Sequence, residues 1–312
     1  MNYLNKPLNT DKLLLKNRLI MPPMATAKSG ADGKVSEEIL EYYDEKSKGG
    51  YISLIIIEHS FVSQQGKASS NQMSIAQESM VGELKRLAET IHKNGCKTIM
   101  QINHAGSAAN TEVTGMEIVG PSAAPNPFGT GMTPRELQKN EIGAIVNEFK
   151  EAAIRVKNAG FDGVEIHSAH GYLLNQFLSP ITNKREDEYG GDITGRIKIH
   201  KDIVKSVREA VGESFPIFMR LGAADYMDGG LTIEDSKLAA QQLEKAGVDI
   251  LDISGGLSRY TIPGVNEEGY FTSLSKTIKE VVSIPVIVTG GIVNSKTADD
   301  ILSRGEADLI GV

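Results

Sequence analysis

Residues 145–172 read IVNEFKEAAIRVKNAGFDGVEIHSAHGY, and the order of signals in them decides the fold. Ile145, Phe149, Ala152, Ala153 and Val156 recur at helical spacing, one apolar stripe along an amphipathic helix. Ala159-Gly160 then stops it, because glycine accepts the left-handed conformation beyond a last helical turn. Gly163 to Ile166 follow as a short strand-like run, and His167 opens a cluster of polar residues. Helix, glycine stop, short strand and polar loop make one unit of an alternating α/β chain.

Working outward, the same short apolar run recurs at Arg18 to Met21, Ile52 to Ile57, Thr98 to Ile102, Ile217 to Leu221, Ile250 to Ile253, Val286 to Val288 and Leu309 to Val312, eight in all. Continuous apolar runs suit strands buried on both faces, as in a parallel sheet. Helical stripes lie between them, for example Leu84, Leu87, Ala88 and Ile91 before Gly95, and Leu238, Ala239, Leu243 and Ala246 before Gly247. The pattern predicts a (β/α)8 TIM barrel forming a single domain over residues 1–312. Residues 105–135 carry several Gly, Pro, Asn and Thr and no helical period, which predicts a long loop after the third strand. The chain stops at the eighth run, so the expected barrel lacks its last helix and is truncated at its C terminus.

Composition narrows the function. With 33 Lys+Arg against 40 Asp+Glu the net charge is −7, which argues against nucleic acid as a partner. No run approaches the roughly 18 apolar residues of a membrane span, and the N terminus has no secretory h-region. One cysteine, Cys96, fits a reducing compartment, and a cytoplasmic location is expected.

In a parallel barrel the site is built where strands end, so those ends carry the functional reading. Pro22-Pro23-Met24-Ala25-Thr26 follows the first run, Glu58-His59 the second, Asn103-His104-Ala105-Gly106 the third and Thr289-Gly290-Gly291 the seventh, while Gln101 and Arg220 lie inside apolar runs. Gln101 can donate and accept, as the imide edge of a planar heterocycle requires, or it is an amide satisfied by neighbouring backbone. The permanent charge of Arg220 suits an anionic ring atom, or it pairs with Glu165 or Asp252. Gly290 and Gly291 suit a phosphate, with the helix expected to start at Ser295, or form a tight turn. His167 and His170 can donate to one carbonyl oxygen, with the Tyr172 phenol as proton donor. A metal pair is the rival, but no third or fourth ligand is suitably spaced, and no metal is expected.

The stretch Gly163 to Arg196, GVEIHSAHGYLLNQFLSPITNKREDEYGGDITGR, resembles the signature of the old yellow enzyme family of FMN-dependent oxidoreductases. Asn17 to Met24 is similar to its first-strand motif and Gln101 to Gly106 to its third, and the similarity runs from about Asn5 to Val312. The resemblance implies FMN at the barrel mouth, with Pro23, Met24 and Ala25 beside the ring system, Gln101 on its pyrimidine edge, Arg220 near N1 and O2, and Gly290 and Gly291 near the phosphate. It places His59 at a position held by a small residue in many relatives, beside the flavin. It implies that His167 and His170 bind the substrate's electron-withdrawing group and that Tyr172 donates the proton. NADH or NADPH would be the reductant and an enone- or enal-type small molecule the substrate.

Two departures stand out. Ala25 replaces the Thr or Cys of many relatives, which implies a different flavin potential unless Thr26 compensates, and Ala27 replaces a substrate-facing aromatic of some relatives, which implies a roomier pocket. Two other readings stay open. One is the barrel portion of an iron-sulfur flavoenzyme of the 2,4-dienoyl-CoA reductase kind; the other is a flavin-free, phosphate-binding barrel lyase or isomerase, which would want a lysine or metal-binding carboxylate at a strand end. Oligomeric state is open too, since relatives often form homo-oligomers.

Overall fold

A computed structural model describes residues 3–127, 129 and 131–312. Eight parallel strands close into a barrel: β1 (Leu19–Met21), β2 (Leu54–Phe61), β3 (Lys97–Asn103), β4 (Gly163–Ser168), β5 (Ile217–Gly222), β6 (Ile250–Ser254), β7 (Val286–Val288) and β8 (Leu309–Gly311). β8 pairs with β1, Ile310 opposite Leu19, so the ring closes without an edge. Each strand begins or ends within a few residues of a run expected from the sequence.

The helices between strands are α1 (Glu37–Ser47), α2 (Val81–His92), α3 (Lys139–Asn158), α4 (Lys198–Val211), α5 (Ile233–Ala246), α6 (Thr272–Lys279) and α7 (Ser295–Ser303). The stripe of α3 is buried at Ile142, Ile145, Phe149, Ala152, Ala153 and Val156, against the outer faces of the barrel strands. Gly247 ends α5 in the left-handed conformation, φ 109°. Ser295 opens α7 behind an Asn294 cap whose side chain accepts from the Lys296 amide.

Inside the barrel, Ile20, Leu54, Ile56, Ile99, Phe218, Ile250, Ile287 and Leu309 form a separate apolar cluster. Leu13 and Leu15 complete it from a short hairpin, Leu8–Asn9 paired with Leu14–Leu15, that folds under the N-terminal ends of the strands. Two-residue strands leave no period in a sequence, so this plug was not legible there. The segment 105–135 is less irregular than expected: it holds a short helix, Thr111–Thr114, and a ladder between Val119–Gly120 and Arg135–Glu136. No helix among the described residues is long and apolar enough to cross a membrane.

Candidate active site

Where the strands end, a cavity of about 750 Å³ opens. Its wall includes all eleven residues singled out from the sequence: Pro23, Met24, Ala25, His59, Gln101, His167, His170, Tyr172, Arg220, Gly290 and Gly291. They come from the first, second, third, fourth, fifth and seventh strand ends, so closing the ring is what brings them together.

The first wall is set by Glu58, whose carboxylate accepts the Thr26 amide at 2.9 Å and so fixes the Met24-Ala25 segment. Thr26 is no substitute for the hydroxyl or thiol missing at Ala25. It is not on the wall, and its hydroxyl accepts the Lys28 amide at 3.2 Å. His59 is oriented by Gln72: the Ala68 amide donates to Gln72 Oε1, so Gln72 Nε2 must donate to His59 Nδ1 at 2.8 Å. The proton of neutral His59 therefore sits on Nε2. Burial holds its pKa down, at about 4.

The end of β4 and the turn after it carry His167, His170 and Tyr172. His170 has φ 61°, a left-handed conformation uncommon for a residue with a side chain, and Gly171 follows at φ 76°. The turn is tied down by Asn175, which accepts the Gly171 amide at 2.8 Å, and by Gln176 and Asn126, which donate to the Gly171 carbonyl at 2.6 and 2.8 Å. Much of the stretch beyond Tyr172 is therefore scaffolding. Arg185, for instance, donates to the carbonyls of Pro121 and Leu137, fastening this loop to the long one after β3.

The His167 and His170 rings meet edge-on with centroids 5.1 Å apart, and Tyr172 lies 5.2 Å from both His167 and His59. Burial pushes both imidazoles well below the ordinary histidine range, so they are neutral at pH 7. Burial raises the Tyr172 phenol, so it keeps its proton. The His167 Nδ1 is buried without a hydrogen-bond partner. The Nε2 of His170 is engaged by Ser254 at 2.7 Å, which leaves Nδ1 as the nitrogen free to serve a ligand.

Gln101 and Arg220 stand on the strands that flank β4, Arg220 in register with His167 and Gln101 in register with Glu165. Arg220 approaches Asp252 at 3.2 Å, one of the two carboxylates expected for it, whereas Gln101 donates not to backbone but to the Glu165 side chain at 2.7 Å, and both residues also face the cavity. Gly290 and Gly291 have φ 123° and 66°, and a Cβ on either would come within about 3 Å of the Tyr270 ring. Sequence reasoning missed Ser254, Thr289, Asn126, Tyr260 and Tyr270 as wall residues. Ser254 and Thr289 were visible as strand ends, but the other three lie in loops whose course no periodicity fixes. Among the described residues the wall holds no lysine, aspartate or glutamate, the groups the lyase reading wanted. No cluster of three or more His, Cys, Asp or Glu among the described residues is placed to hold a metal.

A closed parallel barrel thus gathers at its mouth an amide, a guanidinium, a glycine pair and a His-His-Tyr cluster, a set that suits a flavin-dependent oxidoreductase. The profile of the NADH:flavin oxidoreductase / NADH oxidase family matches residues 3–312. The chain is 42% identical over 306 residues to the NADH oxidase of Thermoanaerobacter brockii, covering 96% of this chain and 47% of that protein. Its fold is similar to that of a 2-naphthoyl-CoA reductase complexed with 2-naphthoyl-CoA, with a TM-score of 0.93, 28% identity and coverage of 99% and 50%. It is also similar to an old yellow enzyme homologue from Zymomonas mobilis, with a TM-score of 0.86, 28% identity and coverage of 99% and 88%. The chain thus spans about half the length of the first curated relatives it matches. It belongs to the NADH:flavin oxidoreductase / NADH oxidase family, the family of the old yellow enzymes, whose cofactor is FMN and whose reductant is NADH or NADPH.

The residues present fit FMN. Nε of Arg220 is buried without a hydrogen-bond partner, a donor available to an acceptor, and the glycine pair brings bare backbone to the wall of the same cavity.

Proposed function

We propose that this chain reduces the activated C=C bond of α,β-unsaturated carbonyl compounds, enones and enals, at the expense of NADH or NADPH. The observation that carries the reading is the convergence of two neutral imidazoles and a protonated phenol on the cavity that Gln101 and Arg220 also line. Bound FMN supplies the hydride acceptor for the nicotinamide and the hydride donor for the substrate's Cβ.

The chain's own residues do the rest. Gln101 and Arg220 hold the cofactor's polar edge, Gly290 and Gly291 admit its phosphate to backbone amides, and Pro23, Met24, Ala25 and His59 line its remaining contacts. His167 and His170 donate to the substrate's carbonyl oxygen, drawing charge away from the double bond. For His170 this uses Nδ1–H, with the Ser254 hydroxyl donating to Nε2. Tyr172 delivers its proton to Cα, and the burial that keeps the phenol protonated suits it to act as the acid. One nicotinamide hydride and one proton are consumed for each double bond reduced.

The purified protein, bleached anaerobically with NADH or NADPH and then given 2-cyclohexenone, tests the reading: recovery of the yellow colour is expected. A protein that bleaches but is not reoxidised by enones is not an ene-reductase.

A second reading is favoured by coverage alone: the chain spans 47% of the NADH oxidase and 50% of the 2-naphthoyl-CoA reductase. On that reading the barrel is the catalytic part of an iron-sulfur flavoenzyme of the 2,4-dienoyl-CoA reductase kind, acting on acyl thioesters. Iron analysis of the whole gene product, with a dienoyl-CoA assay, separates the two.

A further inference from the structure

Behind the Arg220 and Gln101 face of the cavity lie two carboxyl groups, Asp252 and Glu165, that the proposed mechanism does not use. Arg220 and Asp252 are register neighbours on β5 and β6, and Gln101 and Glu165 are register neighbours on β3 and β4, so all four side chains enter the barrel interior. Asp252 and Glu165 are fully buried. The Arg220 Nη1 to Asp252 Oδ2 approach of 3.2 Å is ionic and not a directed hydrogen bond. Neither Asp252 oxygen has a hydrogen-bond partner, and Oε2 of Glu165 has none either.

Two carboxylates and one guanidinium in a dry interior cannot all be charged cheaply, so one carboxyl keeps its proton. Burial and the neighbouring Asp252 push Glu165 well above the usual carboxylate range although Arg220 and Gln101 pull it down, whereas Arg220 restrains the burial-driven rise of Asp252 to about 6. Glu165, whose one partner is a neutral amide, is the protonated member, and Asp252 is the anion facing the cation.

We propose that Asp252 is a positioning residue that anchors Arg220 in the barrel mouth and offsets its charge, so that the cofactor meets a shielded ion pair instead of a free guanidinium, with Glu165 as the neutral support of Gln101. The inference rests on the reading that Arg220 and Gln101 hold the flavin's polar edge. A free cation there favours the reduced, anionic flavin; pairing it with Asp252 keeps the reduction potential lower.

The test uses the FMN-bound protein and three readouts: FMN affinity by fluorescence quenching, the midpoint potential by dye equilibration, and the dissociation constant for sulfite, whose adduct is favoured by positive charge near the ring. Asp252→Asn should raise the potential and tighten sulfite binding about tenfold. Glu165→Gln, isosteric with a protonated glutamate, should change neither. An unmoved potential in Asp252→Asn with FMN still bound overturns the inference and leaves the flavin site intact. A raised potential in Glu165→Gln places the negative charge on Glu165 and also overturns it, a result that decides even where Asp252→Asn does not fold. Failure of the unsubstituted protein to bind FMN overturns the flavin-edge reading itself, and the inference with it.

Discussion

The Ser254 hydroxyl lies 2.7 Å from Nε2 of His170, across the seam between the turn after β4 and the end of β6. A serine hydroxyl can donate to Nε2 when the ring proton sits on Nδ1, and so supports the tautomer in which Nδ1 can donate to a ligand. Ser254→Ala is expected to lower kcat/KM for 2-cyclohexenone about tenfold, the loss of one hydrogen bond to the group that polarises the carbonyl. Flavin reduction by the nicotinamide should be unaffected, and separate stopped-flow traces of the two half-reactions check both statements.

Tyr172→Phe removes the proposed proton donor while keeping the ring packed near His167 and His59. Reoxidation by the enone should slow about 10² to 10⁴-fold, the usual worth of a positioned general acid. Bleaching by NADH or NADPH should proceed at the unsubstituted rate. Equal reoxidation rates would remove Tyr172 from the acid role.

Gly290→Ala places a Cβ about 3 Å from the Tyr270 ring on a backbone at φ 123°. The strain of about 1–2 kcal/mol should appear as a lower melting temperature of the flavin-free protein. The displaced Tyr270 ring and backbone of the cavity wall should weaken FMN at least about tenfold, read by fluorescence titration.

His104 is fully buried and accepts the Gly106 amide at 3.0 Å through Nδ1, and burial lowers its pKa to about 4. A base with a lowered folded pKa favours the folded state above its unfolded pKa of about 6.5, and that contribution is lost as pH falls toward 4. Its size is about 3 kcal/mol. The unfolding free energy of the protein relative to His104→Gln should therefore shrink across that window, and the His104 ring should keep neutral NMR shifts at pH 5.5. A ring that titrates near pH 6.5 contradicts the assignment.

The barrel was legible because each strand is buried on both faces and so prints an uninterrupted apolar run such as Ile250 to Ile253. The helices were legible because glycines such as Gly160 and Gly247 stop them. Gln101 and Arg220 stood out as polar groups inside such runs, but not that each would serve a carboxylate and the cavity together, since that depends on register between strands far apart in sequence. Ser254 directly follows the apolar run Ile250 to Ile253, but its partnership with His170 left no sign in the sequence, because the two meet only through the closure of the sheet. Tyr260 and Tyr270 belong to a loop between β6 and α6 that carries no repeating pattern.

The hairpin that sets Leu13 and Leu15 under the strands makes the barrel a blind well. The cluster fills the barrel beneath the cavity, so a ligand comes and goes on the side where the strands end. Two reactants that need the same face of one bound ring at the bottom of such a well must queue, each departing before the other arrives. Initial-rate plots of the proposed reaction should accordingly give parallel lines, and an excess of either reactant should obstruct its successor.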